Sequence, residues 1–164
     1  MTNNQSEPVR IETRSPEQTE ALGCQLGKVL EPGDIVTLSG ELGGGKTCFV
    51  RGIVAGAAPA SIGMVASPTF AILNEYPGPA LLLHYDCYRL HGSDDAIELG
   101  LEDHLYGTGI CLIEWPDRIT DILPDDRLDI LFEYVGETER CITFIPRGPN
   151  AVRQVKNLQQ DGLA

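Results

Sequence analysis

The residues best placed to do chemistry lie between positions 40 and 47, where Gly40-Glu41-Leu42-Gly43-Gly44-Gly45-Lys46-Thr47 fits G-x-x-x-x-G-K-[ST] in full. Glycines in such a loop let successive backbone N–H groups turn inward around an anion with no Cβ in the way. A helix that starts at the same point adds partial positive charge. Lys46 would reach the β- and γ-phosphates of a nucleotide, and the Thr47 hydroxyl would ligate Mg²⁺. A chance match in a chain of this size is on the order of one in a few hundred at the usual glycine abundance, so the motif outweighs a plain glycine-rich turn. Phosphate-bound metal also needs a carboxylate at the end of a neighbouring strand. Gly109 to Glu114 is an apolar run ending in an acid, which makes Glu114 the natural candidate, 67 residues (114 − 47) beyond Thr47. A strand-end glutamate facing solvent is the alternative reading.

The elements that would hold these residues follow from the flanking pattern. The β-branched run Asp34 to Ser39 suits a buried strand feeding the glycine loop, and Lys46 to about Ala57 reads as a helix. Upstream, Arg10 to Thr13 reads as a short strand. Ser15, Pro16 and Gln18 then supply an N-cap, a proline at the first helical position and a residue able to reach back. Leu22, Leu26, Val29 and Leu30 make one buried helical stripe, which Pro32-Gly33 ends. Met64 to Tyr76 and Leu81 to Tyr88 read as extended, joined by Pro77-Gly78-Pro79 as a hairpin. Ser93 to Leu105 reads as a helix with Asp94 and Asp95 in its first turn, Gly109 to Glu114 as a buried strand, and Arg127 to Tyr134 and Arg140 to Ile145 as two more strands. The polar stretches 1–9 and 149–164 read as a disordered N-terminus and a frayed C-terminal tail around one domain, 10–148.

Composition narrows the function classes. The 164 residues carry 12 basic and 24 acidic side chains, a formal net charge of −12. Such a surface does not grip nucleic acid or anionic lipid by itself, because that grip depends on clustered Lys and Arg releasing counterions. Direct DNA binding is not expected, and any RNA would be held by something else. The uncharged stretch Gly52 to Asn74 is broken by Pro59, Ser61, Ser67, Pro68 and Thr69, so no membrane span is expected. No signal peptide is expected either, and a cytoplasmic location follows. The five cysteines, Cys24, Cys48, Cys87, Cys111 and Cys141, have neither C-x-x-C spacing nor an even count, so free thiols packed as small hydrophobes are expected.

The nucleotide is narrowed by elimination. Neither an N-K-x-D signature nor a D-x-x-G switch is present, since Arg89 stands three residues after Asp86, and ATP is favoured over GTP. Between Gly52 and Glu139 the arginines are Arg89, Arg118 and Arg127, unclustered, which is poor material for the arginine-rich lid of a small-molecule kinase. What remains is a small ATPase whose nucleotide state is sensed by nearby loops. The rival readings are a nucleotide-binding regulatory switch without useful turnover and a small-molecule P-loop kinase.

Four motifs in order, namely Gly40 to Thr47, Ser67-Pro68-Thr69-Phe70, His84-Tyr85-Asp86-Cys87-Tyr88-Arg89 and Glu114-Trp115-Pro116, make the chain resemble the bacterial TsaE (YjeE) family over about residues 10–147. The resemblance implies an α/β, P-loop NTPase-like three-layer sandwich, with a mainly parallel core sheet and added antiparallel strands. It also implies an Mg²⁺-dependent ATPase subunit, of low activity alone, that works with TsaB and TsaD. Together they form the threonylcarbamoyl group at N6 of adenosine 37 in tRNAs reading codons that begin with A, with the tRNA held by the partners. Carried over residue by residue, it gives catalytic roles to Lys46, Asp86 and Glu114, and metal roles to Thr47, Glu114 and Asp86. ATP or ADP would contact Glu41, Leu42, Gly43, Gly44, Gly45, Lys46, Thr47, Cys48, Thr69 and Trp115, with Thr69 in a switch-like loop.

The same residues have plainer readings. Asp86 could cap its own turn, and Thr69 could be an ordinary β-branched strand residue. His84 reads as a structural hydrogen-bonding residue ahead of a catalytic base, and Arg89 as a salt-bridge partner as readily as a site cation. Trp115 should face away from Glu114 by strand alternation, and either core packing or a nucleotide or partner contact fits it.

Overall fold

The computed structural model describes residues 7–40, 45–65 and 72–161. Within them the chain forms strands β1 (Val9–Thr13), β2 (Ile35–Gly40), β3 (Leu73–Tyr76), β4 (Leu82–Asp86), β5 (Ile110–Glu114), β6 (Arg127–Tyr134) and β7 (Arg140–Arg147). The helices are α1 (Pro16–Val29), α2 (Lys46–Ala57), α3 (Ser93–Glu98), α4 (Leu101–Leu105) and α5 (Pro149–Gln160), with 3₁₀ segments at Pro59–Met64 and Pro116–Ile122. One seven-stranded sheet has the order β1-β7-β6-β2-β5-β4-β3. Its core, β6-β2-β5-β4, is parallel, while β3 on one edge and β7 and β1 on the other pair antiparallel. The mainly parallel sheet with added antiparallel strands therefore stands as expected.

Alternation along β2 explains the layers. Val36 and Leu38 point into a core built with α1, α2 and α5, including Leu26, Phe49, Ile53 and Val155. Ile35 points the other way, into a smaller core with Tyr85, Ala96, Leu101, Cys111, Ile113 and Ile119. Helices cover both faces, which is the three-layer sandwich.

Helix α1 starts as its sequence dictates. Ser15 Oγ accepts from the Gln18 N–H at 3.2 Å, and Pro16 takes the first helical position. Gln18 reaches back one residue further, its Oε1 accepting from the Arg14 N–H at 2.7 Å. Helices α1 and α2 then meet backbone to backbone. A Cβ on Gly23 or Gly27 would lie 2.3 Å from Phe49 O or 2.4 Å from Ile53 O, and one on Gly52 or Gly56 would lie 2.0 Å from Glu20 O or 2.2 Å from Cys24 O. This clasp fixes α2, and with it the position of Lys46.

The structure corrects the sequence reading in three places. Residues 149–160, expected to be a frayed tail, form α5, which buries Ala151, Gln154, Val155 and Leu158 against the domain. Gly148, at φ 120°, turns the chain and Pro149 opens the helix. The single helix expected from Ser93 to Leu105 is two, because Gly100 adopts the left-handed conformation between them. Met64, expected to be extended, ends a 3₁₀ segment, and the strand begins at Leu73.

Candidate active site

The carboxyl ends of β2, β5 and β6 open onto a cleft of about 550 Å³, lined by Ser39, Gly40, Trp115, Asp117 and the end of β6 from Leu131 to Tyr134. This is where a parallel α/β sheet places ligands. Gly40 ends β2 at φ 146°, within 2.7 Å of Phe132 O if it carried a Cβ, so a side chain there would be strained and crowded. Gly45, also left-handed at φ 94°, caps the start of α2. Glu41, Leu42, Gly43 and Gly44, expected to cradle phosphate, lie outside the described residues, as does Thr69.

Lys46 follows at once. It is 5% exposed, and its Nζ donates to the Gly40 carbonyl at 3.0 Å and sits 4.2 Å from the centre of the Trp115 ring. Burial lowers its pKa, and the negative charges of Glu114, Asp86 and Asp117 oppose that shift. Thr47, next in the helix, is exposed at its first turn, and Cys48 is half-buried.

Glu114 and Asp86 are register partners at the ends of the parallel neighbours β5 and β4. Glu114 Oε2 lies 2.8 Å from His84 Nε2, with both side chains largely buried. Burial by itself would raise the Glu114 pKa, but the His84 hydrogen bond and the positive charge around it, Lys46 included, outweigh that and hold it below the usual glutamate value. Asp86 Oδ1 accepts from the Tyr88 N–H at 3.1 Å, so it does cap its own turn while standing beside Glu114. The oxygen donors of Thr47, Asp86 and Glu114 are the kind Mg²⁺ takes, and Glu114 and Asp86 stand at one end of the sheet.

Trp115 does not obey strand alternation, because β5 ends at Glu114 and Trp115 turns into the left-handed region at φ 58°. That turn swings the ring over Lys46 and against Tyr88, with ring centres 5.0 Å apart. The ring also packs on the smaller core, as the core-packing reading of Trp115 expected.

A scan against family models matches residues 13–142 to the threonylcarbamoyl adenosine biosynthesis protein TsaE. The chain belongs to the TsaE family. A TsaE relative named tRNA threonylcarbamoyladenosine biosynthesis protein, from Bacillus subtilis, is 42% identical over 83% of this chain and 84% of its own length. Relatives of the same name from Treponema pallidum and Streptomyces coelicolor are 38% and 42% identical, over 82% and 71% of this chain and 98% and 80% of their own lengths. The crystal structure of YdiB from Bacillus subtilis superimposes with a TM-score of 0.81 at 32% identity, covering 99% of this chain and all of that one.

Two residues of this TsaE-family site escaped the sequence reading. Asp117 bears on Lys46 from the 3₁₀ segment after Trp115, and no spacing rule marks it. Arg140 lies beside the loop, since a methyl on Gly45 would sit 3.7 Å from its Cγ. Its guanidinium lies 4.3 Å from the Tyr134 ring centre and donates to the Gly136, Glu137 and Glu139 carbonyls. His84, read as structural, is bonded to the principal carboxylate. Arg89 is exposed. No helix among the described residues is long and apolar enough to cross a membrane.

Proposed function

We propose that this TsaE-family chain binds Mg²⁺-ATP at the carboxyl end of β2 and hydrolyses it. It would do so in support of threonylcarbamoyl transfer to N6 of adenosine 37 in tRNAs that read codons beginning with A, acting with TsaB and TsaD. The observation that carries the reading is Lys46, a buried lysine at the start of α2 directly after Gly45, with the charges of Glu114 and Asp86 bearing on it. A buried ammonium held by one carbonyl and an aromatic ring is poised to exchange these for phosphate oxygens, which interact far more strongly with it. Mg²⁺, when bound, would supply neutralisation of the phosphate charge. Thr47 and Glu114 would hold that ion, Lys46 would cover the γ-phosphate, and Asp86 would orient the attacking water once released from Tyr88. The names of the relatives supply the pathway. The net charge of −12 supports leaving the tRNA to the partners.

The test is Mg²⁺-dependent phosphate release from ATP by the chain alone and with TsaB and TsaD. Low release that rises with partners and disappears in Lys46→Ala and Glu114→Ala supports the reading. ATP binding without release in any mixture overturns hydrolysis and leaves a binding switch, a reading favoured by the commitment of Asp86 Oδ1 to its own turn.

A further inference from the structure

The histidine beside Glu114 is unevenly used. Its Nε2 meets Glu114 Oε2 at 2.8 Å, while its Nδ1 is buried and has no partner among the described residues. A carboxylate oxygen has no proton to offer, so the imidazole Nε2–H is the donor and Nδ1 takes no part in the bond. His84 lies in the middle of β4, paired with Leu112 of β5 and Asn74 of β3, so its ring is carried by a strand bonded on both sides. Glu114, in contrast, is the last residue of its strand. A side chain in that position gains its orientation from a neighbour.

We propose that His84 is a positioning residue: its Nε2–H holds Glu114 Oε2, fixes the plane of the carboxylate, and leaves Oε1 as the oxygen that turns to the metal ion bound with the nucleotide. The inference rests on the reading of Glu114 as the metal carboxylate. Partners that orient a metal ligand typically change metal affinity by about 10- to 100-fold when removed. Glutamine at 84 can place its Nε2 donor close to the imidazole Nε2, whereas leucine fills the space with no donor.

The decisive experiment has two arms. In the nucleotide-free chain, imidazole ¹⁵N resonances of His84 should report a protonated Nε2, and the Nε2 resonance should move in Glu114→Ala. By calorimetry, ATP binding is then followed with and without Mg²⁺. His84→Leu should raise the Mg²⁺ concentration for half-maximal effect about tenfold and leave metal-free ATP affinity unchanged. His84→Gln should restore the wild-type Mg²⁺ dependence. Equal impairment in the leucine and glutamine variants, an Nε2 that carries no proton, or an unaltered Mg²⁺ dependence in His84→Leu each overturns the proposal while the ATP site stands. If the leucine variant does not fold, the resonances and the glutamine variant decide. Failure of the wild-type chain to bind ATP overturns the site reading, and this inference with it.

Discussion

Two buried charges at opposite ends of β2 are treated in opposite ways. Asp34, just before the strand and 2% exposed, is saturated: Arg153 of α5 donates to both its oxygens at 2.9 and 2.8 Å, and the Glu31 N–H adds a bond at 2.7 Å. Lys46, at the start of α2 beyond the other end of the strand and 5% exposed, has one carbonyl and the face of an indole. A carboxylate that accepts from one arginine Nη2 on both oxygens and from a backbone N–H uses most of its hydrogen-bonding capacity, whereas an ammonium with three donors and one oxygen does not. The first arrangement is built to stay as it is. The second is built to receive something. A charge's neighbours thus separate support from site even where burial is equal.

The sharpest way to break this contrast is to remove each charge in turn and read both binding and stability. Lys46→Ala should weaken ATP binding about 100-fold, measured by calorimetry, yet move urea stability by no more than about 1 kcal/mol, because losing a poorly solvated ammonium offsets losing its packed stem. Asp34→Ala should do the reverse, lowering stability by about 2 kcal/mol with ATP affinity unchanged. That figure is set below the range for fully buried pairs because the Arg153 side chain is a third exposed. Parallel losses in both assays from either variant would erase the distinction.

A subtler contrast concerns pH. Burial raises the Asp34 carboxyl above its ordinary value of 3.8, despite the arginine. The folded state then holds this proton more tightly, and Asp34 contributes falling stability as pH rises from 3.8 through the raised value. Glu114 is held below its ordinary value of 4.5, so its contribution is present above 4.5 and is lost as pH falls through the lower value. Urea unfolding between pH 3.5 and 7 should show Asp34→Asn and Glu114→Gln changing the pH slope in opposite directions. Slopes that move together would show the two carboxyls to be equivalent.

The smallest expected effect is optical. Trp115 is the one tryptophan in the chain, and its ring lies under Lys46. Nucleotide that draws the ammonium away should change the fluorescence, because the cation–π contact over the indole is lost. Lys46→Ala should show no such change.

Much of this was legible in the sequence, for reasons local to each element. Helix α2 and strand β6 end where glycine, β-branched runs and turn residues say they should. The cap of α1 is written in Ser15 and Pro16. Helix α5 was missed because its stripe is sparse, Ala151, Val155 and Leu158 among polar residues, and because buried Gln154 and the Arg153–Asp34 pair are tertiary facts. The turn of Trp115 onto Lys46 was missed because alternation holds only while the strand lasts. Asp117 and Arg140 reach the site through the fold, and no spacing in the chain announces them.

The clasp between α1 and α2 has a consequence for how such chains diverge. At Gly23, Gly27, Gly52 and Gly56 a single methyl group collides with a carbonyl of the facing helix, so drift at these four positions is closed while the outer faces of both helices stay open to change. Paired Gly-x-x-x-Gly spacings on either side of the phosphate loop should therefore outlast most of the surrounding letters, and they offer a search string for remote kin that does not depend on the catalytic residues.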